Sequence, residues 1–274
     1  MHERSSATVS GETAPLGELL RRWRQLRRTS QLDLALDAGI STRHLSFVET
    51  GRSQPSREVV LRLAEELAVP LRERNHLLLA AGFAPVFEQR PLDDPALGPA
   101  QRAVERVLAG HAPYPAIAVD RHWTLVSSNA ALAPLLEGIA PWLLESPVNV
   151  LRLGLHPEGL APRIRNLREW RAHILSRLHQ QFDATADPVI AALAEELRGY
   201  PAAGGHQPDD WDDLGGVAVP LRLQSSLGEL AFINTITVFG TPLDLTLAEL
   251  AIEAFFPADE ATATALRAAA GGAS

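Results

Sequence analysis

"LDLALDAGISTRHLSFVETGRSQPS", Leu32 to Ser56, is a helical pattern that breaks at Gly39 and resumes within two residues. Gly39 suits a helix end because it takes a left-handed conformation without a Cβ clash. Ser41 can then cap a third helix from Thr42 to about Thr50, with Gly51 as its stop. Leu45 and Val48 lie three apart and, with Ile40 and Leu34, can pack inward. That leaves Thr42, Arg43, His44 and Ser46 pointing outward near the helix start.

Outward from this stretch, apolar spacing predicts five helices before the first Pro-rich break. The first covers about Leu16 to Arg28, with Leu16, Leu19, Leu20, Trp23 and Leu26 on one face. Ser30 can cap the second, whose Leu32, Ala35, Leu36 and Ala38 precede the turn. Helices four and five run about Arg57 to Leu67 and Leu71 to Ala81, separated by Val69-Pro70. From Leu16 to Arg62 there are nine Arg against five acids, a segment charge of +4 in a chain of net charge −8, so the rest carries −12. Such asymmetry fits a small anion-binding module joined to an acidic body, although a solvated basic helix face accounts for the same charge.

A short helix with an exposed polar face, held across a tight turn from another helix, is the geometry that enters a DNA major groove. There Arg can donate two hydrogen bonds to guanine, and Thr and Ser hydroxyls can donate or accept. Ser41, Thr42, Arg43, His44 and Ser46 are therefore the candidate base-reading set. Gln31, Arg52 and Ser53 sit where phosphate contacts would fix register.

The segments "SQLDLALDAGIS", "RHLSFVETGRSQPS" and "LRLAEELAV" resemble the helix-turn-helix of the Xre/Cro-repressor-like family of bacterial transcription regulators. The resemblance implies that Gln31 contacts phosphate, that the helix start at Thr42 to Ser46 reads bases, and that Glu49 pairs with an Arg of the first helix, Arg24. One departure is Arg27-Arg28-Thr29, where relatives commonly place Gly.

The chain has 274 residues, 46% of them hydrophobic, enough for two modest domains. It has no Cys, which excludes disulfides and thiolate chemistry, and every basic residue is Arg. The opening MHERSSATVSGETAP lacks a signal-peptide apolar region and no apolar run reaches membrane-span length, so a soluble cytoplasmic protein with no membrane partner is expected. The expected organisation is a DNA-binding domain over 14–84, a linker over 85–99, a second domain over 100–260 and a flexible tail over 261–274.

In the second domain, Ala116 to Val119 and Trp123 to Val126 read as two short strands joined through Asp120-Arg121-His122, and Asn129 can cap the helix that follows. Ile164 to His179 and Pro188 to Leu197 return to helical spacing. Runs Val217 to Leu223 and Glu229 to Phe239 read as a second hairpin turning at about Ser225 to Gly228, and a last helix is expected at about Leu247 to Phe256. The expected fold class is a mostly α five-helix helix-turn-helix domain followed by an α+β domain with a small antiparallel sheet.

"PAIAVDRHWTLVSSNAA", "NVLRLGLHPEGLAPRIRNLREWRAHILSRL", "ALAEELRGYP" and "ELAFINTITVFGTPLDLTLAELAIEAFFPAD" resemble the MmyB-like, PAS-like ligand-binding domain found behind Xre-type modules. The resemblance implies a pocket for a small apolar molecule, with a fatty acid the leading candidate and no cofactor required. Trp123, Leu125, Leu151, Trp170, Ile236 and Phe239 are the expected apolar lining, and Arg152 or His156 the partner of a polar head. Arg152 stands alone in an apolar run, so if buried it needs an anionic partner, from the ligand or from a protein acid.

His156-Pro157-Glu158 is too sparse for a metal site, and the Asp209, Asp210, Asp212, Asp213 cluster lacks the spacing of a calcium loop. No phosphate loop, nucleophile elbow or H-E-x-x-H occurs, so no enzyme is expected. The expectation is a homodimeric regulator bound to a double-stranded operator and a small apolar ligand. The alternative is a PAS-like small-molecule-binding or enzymatic protein whose helical module contacts other proteins.

Overall fold

The computed structural model describes residues 14–92, 94–201, 219–238 and 244–271. The chain divides into two compact units, one up to Glu88 and one from Gln89. The N-terminal unit consists of α1 (Leu16–Leu26), α2 (Gln31–Asp37), α3 (Thr42–Glu49), α4 (Arg57–Glu66) and α5 (Leu71–Ala80). Serine caps set three of the starts: Ser30 Oγ accepts from the Asp33 N–H, Ser41 from His44 and Ser56 from Val59. Gly39 and Gly51 close α2 and α3 at φ +63° and +71°. In the Arg27-Arg28-Thr29 turn between α1 and α2, Arg28 takes φ 54°, a left-handed conformation held without a glycine.

Leu20, Leu34, Leu45, Val60, Leu63 and Leu78 form the buried centre of this unit. α1 lies so close to the end of α3 that a Cβ on Gly17 would stand 2.4 Å from the Glu49 carbonyl oxygen. The seven-residue α2 turns Leu34, Ala35 and Ala38 inward and leaves Leu32 and Leu36 65% and 76% exposed.

The C-terminal unit is α+β. A one-turn 3-10 helix at Pro95–Leu97 leads into α6 (Gly98–Gly110), so ordered structure with a buried Leu97 begins inside the expected linker. There follow β1 (Ala116–Val119), β2 (Leu125–Ser128), α7 (Val150–Leu155), α8 (Leu167–Thr185), α9 (Pro188–Gly199), β3 (Leu221–Ser225), β4 (Gly228–Val238), α10 (Leu245–Ala248), β5 (Ala251–Pro257) and α11 (Glu260–Gly271). The strands form one antiparallel sheet in the order β2-β1-β5-β4-β3.

β5, at the centre, corrects the helix expected over Leu247 to Phe256; only Leu245–Ala248 is helical. Both faces of this strand are covered, so its apolar residues run continuously and their period is uninformative. Ile252 packs with Ala116, Ala118, Val104 and Leu108 on one face. The other face carries Ile117, Phe232 and Leu223 into a core with Trp170, Ile174, Leu178 and Ile190.

The tail expected to be flexible is likewise ordered to Gly271. Its alanines favour helix, Ala263 and Leu266 are buried, and Thr262 Oγ1 accepts the Ala231 N–H at 2.9 Å.

Two local readings also change. Trp123 is a turn residue at φ 66°, not the start of β2, because Asp120 Oδ1 accepts the N–H groups of His122 and Thr124 and tightens the loop. Asn129 makes no side-chain cap; its amide ties α6 to β1, accepting from Ala116 N and donating to the carbonyls of Leu108 and Tyr114. Val217, Phe239 and the loop with Asp209, Asp210, Asp212 and Asp213 lie outside the described residues. Among those described, no helix is long and apolar enough to cross a membrane.

Candidate functional site

In the N-terminal unit the carboxylate of Glu49 has no exposed surface, and its oxygens are filled from two helices. Arg24 donates through Nε to Oε1 at 2.7 Å and through Nη2 to Oε2 at 2.9 Å, and Gln31 Nε2 donates to Oε2 at 2.7 Å. Arg21 adds a hydrogen bond to the Glu49 carbonyl at 3.1 Å. Burial alone would push the Glu49 carboxyl up, but these hydrogen bonds and the two arginine charges outweigh it and hold it below the usual carboxylate range. The node thus clamps α1, α2 and α3 together, with Arg24 as the helix-one partner. One amide N–H of Gln31 serves Glu49, and the amide carries a second.

On α3, Ser41 and Arg43 are exposed, and the Arg43 guanidinium lies 5.3 Å from the Phe47 ring centroid. Thr42 and Ser46 are half-buried at the same helix end, Arg52 is exposed beyond Gly51, and Ser53 is half-buried. His44 departs from the outward face: it is half-buried, and its Nε2 is enclosed without a partner.

The C-terminal unit encloses a cavity of about 320 Å³ between the sheet and the segments from Leu132 through α8. Leu125, Leu151 and Trp170 line it as expected, together with Leu153, Ile174, Phe232 and Phe255. Leu144 both lines the cavity and is 38% exposed, which marks a way in.

Trp123, Arg152, His156 and Ile236 do not line it. Trp123 Nε1 donates to Gln181 Oε1 at 2.9 Å, and Arg177 covers the indole. Arg152 makes a fork to Glu196 at 2.6 and 2.7 Å, so a glutamate of α9 supplies the anion. That hydrogen bonding is the main cause holding the Glu196 carboxyl low, whereas burial and the neighbouring carboxylate push Tyr200 up to about 12. The His156 ring stands edge-on between Trp142 and Tyr200, and its Nδ1 accepts the Glu158 N–H, a turn role. Ile236 is on the cavity face of β4 but 44% exposed, and Phe239 lies outside the described residues.

Among the described residues, the charged side chain that does line the cavity is Glu253 of β5. Sequence reading missed it because "AIEAFF" was assigned to a helix; the available signal was a lone acid in an apolar run, the same argument that drew attention to Arg152.

The model of the MmyB-like transcription regulator ligand binding domain matches residues 100–269, more than half of the chain. The chain belongs to this family. A helix-turn-helix model matches residues 20–74 of the same MmyB-like regulator. A solved structure similar to part of it is the clp gene regulator ClgR from Corynebacterium glutamicum. It is 26% identical over 36% of this chain and 90% of that one, with a TM-score of 0.22. No protein of curated function matches. The MmyB-like chain is a DNA-binding transcription regulator whose second domain is of a ligand-binding class.

Proposed function

We propose that this regulator reads its operator with the start of α3 and responds to an elongated apolar molecule, of which a fatty acid is one candidate, held in the C-terminal cavity. The observation that carries the reading is the cavity itself. It holds about 320 Å³ and is walled almost wholly by Leu, Ile, Val and aromatic side chains, which leaves little to recognise a sugar or nucleotide. Arg43 contacts a base edge, with Ser41, Thr42 and Ser46 around it, and Gln31, Arg52 and Ser53 hold phosphates. Occupancy alters DNA binding only if the ligand prefers one of two domain arrangements, since equal affinity shifts no equilibrium. A cytoplasmic homodimer on half-sites about one helical turn apart would multiply the modest affinity of a single module.

The test combines two measurements on the full chain. Arg43→Ala is expected to cost about 1–3 kcal/mol in operator affinity and relax preference at one base position, whereas Arg52→Ala weakens all sequences alike and flattens the salt dependence. Unchanged affinity and preference in Arg43→Ala would remove the assignment of α3. Solvent extraction with mass spectrometry, then titration of long-chain compounds against thermal stability and operator binding, tests the sensor. A chain that no such compound stabilises has no sensor of this kind. Light scattering that shows only monomer, with footprints over one half-site, would remove the dimer.

A further inference from the structure

Among the described residues that line the cavity, Glu253 has the one charged side chain, and it is 4% exposed. Its Oε1 is fully engaged, accepting from Asn234 Nδ2 at 2.6 Å and Arg177 Nη1 at 3.1 Å. Its Oε2 accepts no hydrogen bond from any described residue. On the guanidinium beside it, Arg177 Nη2 is buried without a partner, while the same group rests 4.5 Å from the Trp123 ring centroid. The charges of Glu253 and Arg177 cancel, so the node is neutral overall yet has an acceptor and a donor left over.

Leaving a buried polar atom unpaired costs on the order of 1–3 kcal/mol, so an occupant that donates to Glu253, which lines the cavity as Arg177 does not, is favoured over one that cannot. A carboxylate head is a poor candidate. It would add a net negative charge to a neutral node in an apolar cavity, facing a carboxylate oxygen with no proton to give. An ammonium would add the opposite excess. A hydroxyl can donate to a carboxylate oxygen and accept from a guanidinium N–H while adding no charge.

We infer that the cavity selects an elongated apolar molecule bearing a neutral hydrogen-bond donor, a hydroxyl, with Glu253 Oε2 as its acceptor. This rests on the reading of the cavity as the ligand site and narrows that reading from apolar molecules in general to long-chain alcohols over fatty acids.

The experiment titrates the delipidated full chain by calorimetry at neutral pH with dodecanol, dodecanoate, dodecylamine and dodecyl methyl ether. Dodecanol is expected to bind at least about tenfold more tightly than each of the others, about one missing or mispaired buried hydrogen bond at 1.4 kcal/mol per decade. In Glu253→Gln, whose amide can donate to an acid, the preference for dodecanol over dodecanoate should shrink by a similar factor. Equal binding of alcohol and ether, or tighter binding of acid or amine, overturns this inference and leaves the cavity as a ligand site. Binding of none of the four overturns the cavity reading and this inference with it. The four wild-type titrations decide the matter even if the variant does not fold.

Discussion

Glu49 in the N-terminal unit and Glu253 in the C-terminal unit are both buried carboxylates, each hydrogen-bonded by one arginine and one side-chain amide. Around Glu49 the arginine spreads its fork over both oxygens and the amide joins one of them, so no acceptor faces empty space. Around Glu253, a residue of the cavity wall, both donors crowd onto one oxygen and the other accepts none from the described residues. The same three kinds of group thus make a clamp in one place and an unfinished site in the other. Residue type does not separate the two; how donors are distributed over the carboxylate does.

The largest expected effect comes from breaking the clamp. Glu49→Ala leaves Arg24 and Gln31 without their acceptor and should cost about 3–5 kcal/mol, read as lost hydrogen-exchange protection in α1 and α3. If protection survives, Glu49 is not the centre of that unit. Acid should erode the same clamp. The folded carboxyl is held below its ordinary value of 4.5, so its stabilisation is fully present above that pH and is lost as pH falls through the lowered value. Melting of wild type followed by circular dichroism should therefore fall toward Glu49→Ala only in acid, and a gap between the two that stays constant with pH would contradict the assignment.

Glu253→Ala should cost less, about 1–3 kcal/mol, because two hydrogen bonds rather than three are lost and Arg177 keeps its contact with Trp123. A loss as large as that of Glu49→Ala would make Glu253 a clamp too and erase the distinction. Smallest is Arg152→Ala. Its fork to Glu196 looks as good as Arg24's, but both side chains are 36% exposed, so water screens the pair and about 1 kcal/mol or less is expected in denaturant unfolding.

The N-terminal unit was largely legible in the sequence because its signals are local. Ser30 and Ser41 cap where expected, Gly39 and Gly51 take the positive φ that their positions require, and Glu49 finds Arg24. What apolar spacing alone did not sort there was Leu34 and Ala35, which are buried, from Leu32 and Leu36, which remain on the surface. The C-terminal unit was legible as α+β, but its central strand was not, since a strand buried on both faces and a buried helix share one apolar pattern over so short a run. The misplaced element hid Glu253, so the argument from a lone charge among apolar residues settled on Arg152, which α9 satisfies from outside the cavity. No local pattern could have paired Arg177 or Asn234 with Glu253, because the contacts join α8 to β5 and β4 to β5.

The central place of β5 also orders events during synthesis. β1 and β4 each take β5 as a neighbour, and β1 has no other partner on that side, so the sheet stays in two pieces until residues 251–257 have left the ribosome. The helix-turn-helix, whose contacts close within the first third of the chain, can fold long before that. A nascent or prematurely ended chain therefore carries a folded helix-turn-helix and an unfinished cavity, since Glu253 and Phe255 of β5 belong to its wall. If the cavity is the ligand site, as proposed, such fragments should bind DNA with the modest affinity of a single module and without answering to a ligand.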